Sequence, residues 1–462
     1  MSVTPQQVVQ LSRALVDPGS APRQTLEDYL SAIPRLDSLA DLPSGTPVLV
    51  RGDVDAKPGA AIGEGDIRLR SMVDTLEFGR ARGWKQVVFG HIGRKPEGSL
   101  KAVAGRLGQL LKTDVPLVTD WLDETSNGVT EKASRAVAEA AAGGVLVLEN
   151  TRRYAIERVL WDARPADADR LAEPLSRFAN SLAEKVARVY VNEALSAGSL
   201  DTSTTIVPSA MERVALGKYV AGEFDGPMRR CLAAQLVVFS GLKTDKLDDL
   251  QAMIDRGTIR WVFTAGSLAM ALKKAAAELD GTDFSLGVAE DPAHREKPYF
   301  IEPARIEQAK NMLENGRAKG IRFVLPVDFV LQDGRASEVI GAGDQQFDVG
   351  PKTNQLFARQ VGEFIADAQA AGKPAVAFHN GVFGMFEDAR FEEGTRQFVS
   401  QLQRMKDAGV EVYVGGGEGG AALERYGRPD WVTHTFTAGG TVLNALGSNP
   451  VPYLQALAWR RA

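Results

Sequence analysis

Short, uninterrupted apolar runs recur along this chain and are separated by segments of helical composition. These runs occupy residues 48–50, 87–89, 145–148, 189–191, 236–239, 261–263, 323–325, 375–378 and 412–414. Because the runs are continuous rather than alternating, they predict strands buried on both faces of a parallel sheet. The segments between them, such as the alanine-rich stretch 131–142, are typical of helices. The pattern therefore predicts an α/β protein built from repeated strand–helix–strand units.

The apolar runs fall into two groups, which predicts two doubly wound parallel-sheet domains joined by a hinge helix. The expected order is an N-terminal extension over 1–35, a first domain over 36–209, the hinge helix over 210–232, a second domain over 233–445 and a C-terminal tail over 446–462. We expect the tail to pack back on the first domain. Ligands of such sheets bind beyond the carboxyl ends of the strands, so the residues that follow each run are the functional candidates.

Composition excludes several classes of function. The 462 residues carry 54 basic and 59 acidic side chains, a balance that does not fit a general nucleic-acid binder. No run of ~18 apolar residues occurs, so we expect no membrane span, and the first ten residues do not resemble a signal peptide. The single cysteine, Cys231, fits a reducing compartment, and we expect a cytoplasmic protein. The four histidines are scattered, which argues against a histidine-based metal site, whereas Mg²⁺ remains open because it prefers oxygen ligands.

Charged residues follow the apolar runs of the first half. They are Asp53, Asp55, Arg68, His91, Arg94 and Arg152. A guanidinium group can bind a carboxylate or phosphate through two parallel hydrogen bonds. Any one of these loops is explained equally well as an exposed turn. However, the carboxyl ends of parallel strands lie at one edge of the sheet, so the charged residues that follow them should lie close together. This convergence predicts a basic pocket for an anion.

Glycine-rich turns follow the apolar runs of the second half. The glycines are Gly241, Gly266, Gly415, Gly416, Gly439 and Gly440, and Lys243, Lys246 and Asn380 lie in the same group of turns. Glycine at the start of a helix exposes backbone N–H donors and the positive end of the helix dipole, which together bind phosphate. A tight turn explains any single glycine pair as well. Several such turns at one edge predict a nucleotide-like pocket, and the two pockets together indicate phosphoryl transfer between two substrates.

Ten stretches in the right order resemble the phosphoglycerate kinase family, from about Leu36 to the C-terminus. They are VLVRGDVD (48–55), GHIGR (90–94), LENTRRY (148–154), VYVNEA (189–194), GLKTDK (241–246), LPVDFV (325–330), GPKT (350–353), NGVFGMFE (380–387), GGGE (415–418) and TAGG (437–440). The resemblance implies a monomeric kinase that uses Mg²⁺ with ATP or ADP, a first domain that binds 3-phosphoglycerate, and a second domain that binds nucleotide.

The resemblance also implies residue roles. Asp53, Asp55, Arg68, His91, Arg94 and Arg152 match the positions that bind the acceptor acid, with Arg68 near the carboxylate that receives the phosphoryl group. The nucleotide positions are matched by Gly241, Lys243, Lys246, Gly266, Asn380, Glu387, Gly415, Gly416, Glu418 and Gly440. Glu418 stands where the family carries an aspartate for Mg-ATP. The implied catalytic group is Arg68, Lys243, Gly416 and Gly439.

Departures from the family pattern concentrate at the acceptor site. The family's His-Arg-x-His cluster, which binds the substrate phosphate, is replaced here by Ser199, Leu200, Asp201 and Thr202. The family's asparagine in the first loop is Asp55, which adds negative charge. A lost charged hydrogen bond costs roughly 1.5–3 kcal/mol, so these changes argue against 3-phosphoglycerate as the substrate.

Replacements on the nucleotide side are smaller. Leu242 stands at a position of a small residue, Ala265 and Ala438 replace glycines, and Val382 replaces proline. Three hypotheses remain open from the sequence. The chain is a divergent kinase for another carboxylic acid, a phosphoglycerate kinase with a rebuilt phosphate site, or a binding protein that has kept the fold without turnover.

Overall fold

The computed structural model describes residues 2–20, 24–241, 246–447 and 450–459. The chain divides into two compact units, formed by the described parts of Met1–Asp225 with Asn449–Ala462 and of Gly226–Ser448. Each unit contains a parallel sheet covered by helices, which confirms the predicted α/β class.

The parallel sheet of the first unit is built from the predicted apolar runs. The strands of this unit are β1 (Pro47–Gly52), β2 (Lys85–Phe89), β3 (Leu117–Val118), β4 (Leu122–Asp123), β5 (Gly128–Val129), β6 (Val145–Leu148), β7 (Val189–Glu193) and β8 (Arg213–Leu216). In the described residues the sheet order is β3-β6-β2-β1-β7-β8, and β4 and β5 form a separate antiparallel pair. Every residue of β6 and β7 is buried, as expected for strands covered on both faces.

Helices cover this sheet and include most of the N-terminal extension. They are α1 (Pro5–Val16), α2 (Leu26–Ala32), α3 (Ile67–Ser71), α4 (Val73–Ala81), α5 (Lys101–Leu111), α6 (Glu131–Glu139), α7 (Ala168–Lys185), α8 (Thr202–Thr205) and α9 (Lys218–Glu223). Thr4 and Gln7 form a reciprocal capping box that starts α1. Because α1 packs on α7 and buries Val8 and Leu11, the extension is part of the first unit's core.

The segment 210–232, which the sequence predicts as a hinge helix, is divided between a strand and helical turns. Residues 213–216 form β8, which pairs with β7 and buries Ala215 and Leu216. After β8, the helical elements are α9, a π-helical turn over Phe224–Met228 and α10 (Arg229–Cys231). Pro227 lies inside that turn, and its missing N–H removes a donor from the regular helical pattern.

The second unit is also doubly wound. Its strands are β9 (Leu236–Gly241), β10 (Trp261–Ala265), β11 (Arg322–Val324), β12 (Phe329–Leu331), β13 (Ala336–Ser337), β14 (Gln346–Val349), β15 (Val376–Asn380), β16 (Glu411–Gly415) and β17 (His434–Thr435). In the described residues the parallel sheet has the order β11-β10-β9-β15-β16-β17, and β12 pairs antiparallel with β13 and β14. At its core, Phe357 packs edge to face against Phe263 and Phe398.

Three helices of the second unit begin at predicted glycine turns, at Gly266, Gly416 and Gly439. The helices that follow β9 in this unit are α11 (Lys246–Asp255), α12 (Gly266–Leu279), α13 (Pro303–Ala318), α14 (Pro351–Ala370), α15 (Glu393–Asp407), α16 (Gly416–Tyr426) and α17 (Gly439–Leu446). The last helix, α18 (Pro452–Ala458), belongs to the first unit, where Tyr453 packs against Phe224 and Gln455 donates to the carbonyl of Ala14. None of the helices in the described ranges combines the length and apolar character that a membrane-crossing helix needs.

Candidate active site

Each sheet has one position from which the chain winds first to one side and later to the other. In the first unit this switch point lies between β1 and β7, and in the second between β9 and β15. Ligands of open α/β sheets bind at such points, beyond the carboxyl ends of the strands. The candidates from the sequence follow these strands and their neighbours β2, β6, β10, β16 and β17.

Asp53, Asp55 and Arg68 come together at the switch point of the first unit. Ser196, which follows β7, donates its hydroxyl to the buried Asp53 carboxylate at 2.6 Å. Arg68, in α3, donates from Nη1 to the carbonyl of Asp55 at 2.8 Å, and its Nε lies 3.8 Å from Asp53 Oδ1. The Arg68 side chain keeps a quarter of its surface exposed. The carboxylates therefore hold an accessible guanidinium at the strand ends.

The glycine loop after β2 is tied to the same group. The backbone N–H of Gly93 donates to Asp55 Oδ1 at 2.9 Å. Arg94 follows it and is exposed. Asp55, which the sequence suggests as an unfavourable charge, thus orders two loops of the site. Among the predicted acceptor residues, the accessible basic side chains are Arg68, which is partly exposed, and Arg94, which is exposed.

His91 and Arg152 lie beside a carboxylate of the protein itself. Asp201 is fully buried, and both its oxygens accept from Arg152 Nη2, at 2.9 and 3.1 Å. His91 Nδ1 lies 3.0 Å from Asp201 Oδ2, and Trp161 Nε1 donates to Asp201 Oδ1 at 2.9 Å. The buried Arg51 is the next cation, with Nη2 at 3.7 Å from Asp201 Oδ2. We call Arg51, His91, Arg152 and Asp201 the Asp201 cluster.

Electrostatics within the Asp201 cluster favour the ionised carboxylate. Burial acts to raise the pKa of Asp201, but the contact with His91 and the charges of Arg152 and Arg51 outweigh it and hold the pKa below its ordinary value. Burial, together with the charges of Arg51 and Arg152, lowers the pKa of His91 despite the neighbouring carboxylate. At neutral pH the cluster therefore contains the Asp201 anion between guanidinium groups.

Arg152 has most of its donors engaged within the protein. Its Nη1 donates to the carbonyl of Gly93 at 2.8 Å, and its Nη2 also reaches Ser199 Oγ at 3.2 Å. The Trp161 ring lies against the guanidinium, with its centroid 4.6 Å from Cζ. The side chain is only 7% exposed. Of the predicted acceptor residues, His91 and Arg152 thus belong to an internal ion-pair network.

The switch point of the second unit combines a lysine, an amide and closely packed glycines. Lys246 donates from Nζ to the carbonyl of Ser240 at 2.8 Å and to Asn380 Oδ1 at 3.2 Å, linking the ends of β9 and β15. Gly266, which begins α12, has φ +65°, and a Cβ there would lie 2.8 Å from the carbonyl oxygen of Gly241. Only glycine satisfies both the dihedral angle and this close approach.

Two further helices begin where glycines from different turns touch. Gly416 begins α16 with φ +86°, and a Cβ on Gly439, the first residue of α17, would lie 2.9 Å from Gly416 Cα. Gly415 closes β16 and packs its backbone against Phe378 and Asn380. The first N–H groups of a helix have no partner within it, so the starts of α12, α16 and α17 supply donors for an anion.

The remaining nucleotide candidates are exposed or lie outside the described residues. Gly440, Glu387 and Glu418 are exposed, Glu418 in the first turn of α16. Lys243 falls in 242–245, outside the described residues. Within the described ranges no group of three His, Cys, Asp or Glu side chains could hold a metal by itself. One carboxylate near a phosphate site does fit Mg²⁺, which is commonly bound by one or two carboxylates together with substrate phosphates.

Sequence reasoning missed the contacts of Asp201 and the part played by Arg51 and Trp161. It noted Asp201 as one of the residues that replace the family's phosphate-binding cluster. A signal was present, because Asp201 is the one charged residue in the otherwise polar and apolar stretch 194–205, and Arg51 interrupts an apolar strand. An isolated charge in a buried segment requires a buried partner.

A family model described as phosphoglycerate kinase matches residues 39–449 of this chain, which is most of its length. The chain belongs to the phosphoglycerate kinase family. A phosphoglycerate kinase of Clostridium novyi (strain NT) is 29% identical, over 90% of this chain and 96% of that relative. The Arabidopsis thaliana protein named phosphoglycerate kinase 3, cytosolic, is 28% identical, over 85% of this chain and 90% of its own length.

Solved phosphoglycerate kinase structures share the fold of this family member. The enzyme of Pyrococcus horikoshii OT3 matches with a TM-score of 0.69 at 22% identity, covering 92% of this chain and 98% of that chain. The enzyme of Coxiella burnetii matches with a TM-score of 0.64 at 21% identity, covering 94% and 99%. Family membership and the α/β arrangement of two parallel sheets, both predicted from the sequence, are confirmed.

Proposed function

We propose that this phosphoglycerate kinase family member transfers a phosphoryl group between ATP and the carboxylate of an acid other than 3-phosphoglycerate. The observation that carries the proposal is the engagement of Arg152 and His91 by Asp201. Ser199, Leu200 and Thr202 supply no positive charge beside them. A phosphate monoester with two negative charges therefore meets few free cations at this end of the site.

The first unit would bind the acceptor acid. Arg68 supports this role because its guanidinium is partly exposed and is oriented by Asp53 and Asp55. A guanidinium binds a carboxylate through two hydrogen bonds and neutralises charge that develops on the transferred group. Arg94, exposed in the adjoining glycine loop, would bind a second polar group of the acid.

The second unit would bind the nucleotide. The helix starts at Gly266, Gly416 and Gly439 offer backbone donors to phosphate oxygens. Lys246 and Asn380 contact each other at the carboxyl ends of β9 and β15. Glu418 would hold Mg²⁺ together with the phosphates, and Lys243 is proposed as a further phosphate contact. Bound Mg²⁺ supplies charge neutralisation at the phosphate oxygens.

The reaction follows from these roles. A carboxylate oxygen of the acid attacks the γ-phosphorus, the new carboxyl O–P bond forms, and the bond to the β-phosphate oxygen breaks, so ADP leaves with the electron pair. No proton has to be removed from an ionised carboxylate. The protein's share is therefore positioning and charge stabilisation by Arg68 and the helix starts.

The test is ATP turnover with a panel of carboxylic acids, in which hydroxylamine converts any acyl phosphate to a stable hydroxamate. The proposal expects hydroxamate with at least one acid that bears no phosphate. Turnover confined to 3-phosphoglycerate would favour a phosphoglycerate kinase with a rebuilt site. Nucleotide binding with no hydroxamate from any acid would favour a binding protein without turnover.

A further inference from the structure

The Asp201 cluster resembles an anion-binding site whose anion is part of the chain. Asp201 is fully buried, and two side chains donate to its oxygens: Arg152 Nη2 at 2.9 and 3.1 Å and Trp161 Nε1 at 2.9 Å. His91 Nδ1 lies 3.0 Å from Asp201 Oδ2 and accepts from Arg51 Nη2 at 2.8 Å. This is the environment that a bound carboxylate or phosphate would need, namely charged and ring N–H donors in a buried position.

The neighbouring carboxylate, Glu157, is committed to other partners. It accepts from the Thr202 hydroxyl at 3.1 Å, from the Ser203 backbone at 2.9 Å and from the Ser203 hydroxyl at 2.6 Å. Ser203 in turn accepts from Arg51 Nε at 3.1 Å. Within the described residues, Asp201 is thus the carboxylate that contacts Arg152 and His91 directly.

We infer that Asp201 is a built-in counter-anion, which fills the pocket formed by His91 and Arg152 and closes it to external anions. This inference deepens the proposed function, and its consequence for the choice of substrate rests on that function. With the pocket filled, recognition of the acceptor falls to Arg68 and Arg94. The acceptor acid is then one that carries no anionic group at the Arg152 end. Asp201 is accordingly a specificity-determining residue.

Substitution of Asp201 by alanine removes a group of the size of formate and leaves the guanidinium of Arg152 buried without its counter-ion. A buried charge that has lost its partner is strongly destabilising. An added anion that binds only the folded protein restores stability in proportion to its saturation of the site. Sodium formate is therefore the probe, and the melting temperature is the measurement.

We expect Asp201→Ala to melt several degrees below the unaltered protein and to recover most of that loss, with saturation, as formate is raised. The unaltered protein and Asp201→Asn, which keeps the side-chain volume, should respond to formate only as to added salt. The double variant Asp201→Ala/Arg152→Gln should lose the saturable recovery, since the anion's main ligand is gone. Equal formate responses in Asp201→Ala and the unaltered protein, or undiminished recovery in the double variant, would overturn the inference.

A second comparison keeps the test decisive if Asp201→Ala does not fold. Urea unfolding of Asp201→Asn and Asp201→Asn/Arg152→Gln measures whether Arg152 destabilises the folded protein when the Asp201 charge is absent. The inference expects the double variant to unfold at higher urea than Asp201→Asn, and the opposite order contradicts it. These experiments use neither ATP nor an acceptor acid, so their failure is distinguishable from failure of the proposed phosphotransfer.

Discussion

Arg152 and Asp201 form a buried ion pair in which one guanidinium nitrogen contacts both carboxylate oxygens, at 2.9 and 3.1 Å. Asp201 lies in the stretch that departs most from the family pattern, while Arg152 lies in LENTRRY, which matches it. Retention of the family's arginine therefore does not imply retention of its ligand. Under the proposed function, this pair is the reason that a chain with the family's fold and most basic residues of the site would take a different acid.

Arg68→Ala should reduce phosphoryl transfer about 10²–10³-fold, because the variant lacks the partly exposed guanidinium that would stabilise charge on the transferred group. ATP affinity should stay within about twofold, since Arg68 belongs to the first unit. Steady-state kinetics and calorimetric ATP binding check both statements. Arg70→Ala is the matched control, because Arg70 lies in the same helix and pairs with Asp66 instead. A large loss of ATP affinity in Arg68→Ala would contradict its assignment to the acceptor site.

Lys246→Met should weaken ATP binding by roughly 10–100-fold, because it removes a charged donor located between the ends of β9 and β15. Lys319→Met, in the same unit, removes only an exposed lysine that pairs with Asp255, and should leave affinity unchanged. Calorimetric titration with Mg-ATP makes the comparison. Equal ATP affinities in the two variants would show that Lys246 does not contribute to nucleotide binding.

Gly439→Ala and Gly440→Ala should have opposite effects on stability although the residues are adjacent. A Cβ at 439 would lie 2.9 Å from Gly416 Cα, whereas a Cβ at 440 meets nothing within 4 Å. We expect Gly439→Ala to lower the free energy of unfolding by about 1–3 kcal/mol. Gly440→Ala should raise it by up to about 1 kcal/mol, because alanine restricts the unfolded chain. Urea unfolding of both variants tests this prediction. An unchanged free energy of unfolding in Gly439→Ala would show that the turns at Gly416 and Gly439 can move apart to accept the Cβ.

His379 should make the second unit lose stability in mild acid. Burial lowers the pKa of His379 to about 4, and the nearby charge of Lys246 acts in the same direction. Its unfolded-state pKa is near 6.5, so between pH ~6.5 and ~4 the unfolded chain binds the proton and the folded unit does not. The stabilisation is complete above this range and is lost as pH falls through it, by on the order of 2–3 kcal/mol.

The variant His379→Gln isolates this contribution, because glutamine takes up no proton. Urea unfolding at pH 7, 6, 5 and 4 should show a shallower loss in His379→Gln than in the unaltered protein. Parallel slopes for the two proteins would exclude His379 as the source.

The sequence was most informative where local composition dictates structure. Continuous runs such as 145–148 and 189–191 predicted the buried parallel strands, because an apolar run without polar alternation needs cover on both faces. Helix starts at Gly266 and Gly416 were visible because only glycine tolerates their dihedral angles. These features depend on neighbours in the sequence, and family resemblance then supplied the order of the elements.

Features that depend on distant pairing could not be predicted from local composition. Asp201 contacts Arg152, which lies 49 residues away in the sequence. The local sequence around Asp201 therefore does not show which positive charge pairs with it. Residues 213–216 form an edge strand because they pair with β7. The prediction of a helix over 210–232 was made from local composition and did not take this pairing into account. Asp55 was expected to repel the substrate, yet it accepts from the N–H of Gly93 and orders the loop before Arg94.

The most direct measurement is the specificity constant for 3-phosphoglycerate with ATP, determined beside the Clostridium novyi relative under identical conditions. Loss of two or more charged hydrogen bonds, at roughly 1.5–3 kcal/mol each, should lower kcat/KM of this chain by about two to four decades relative to that enzyme. Another carboxylic acid from the hydroxylamine panel should exceed 3-phosphoglycerate in direct competition. A kcat/KM for 3-phosphoglycerate equal to that of the relative would contradict the account, because it would require Arg152 and His91 to bind a phosphate that Asp201 excludes.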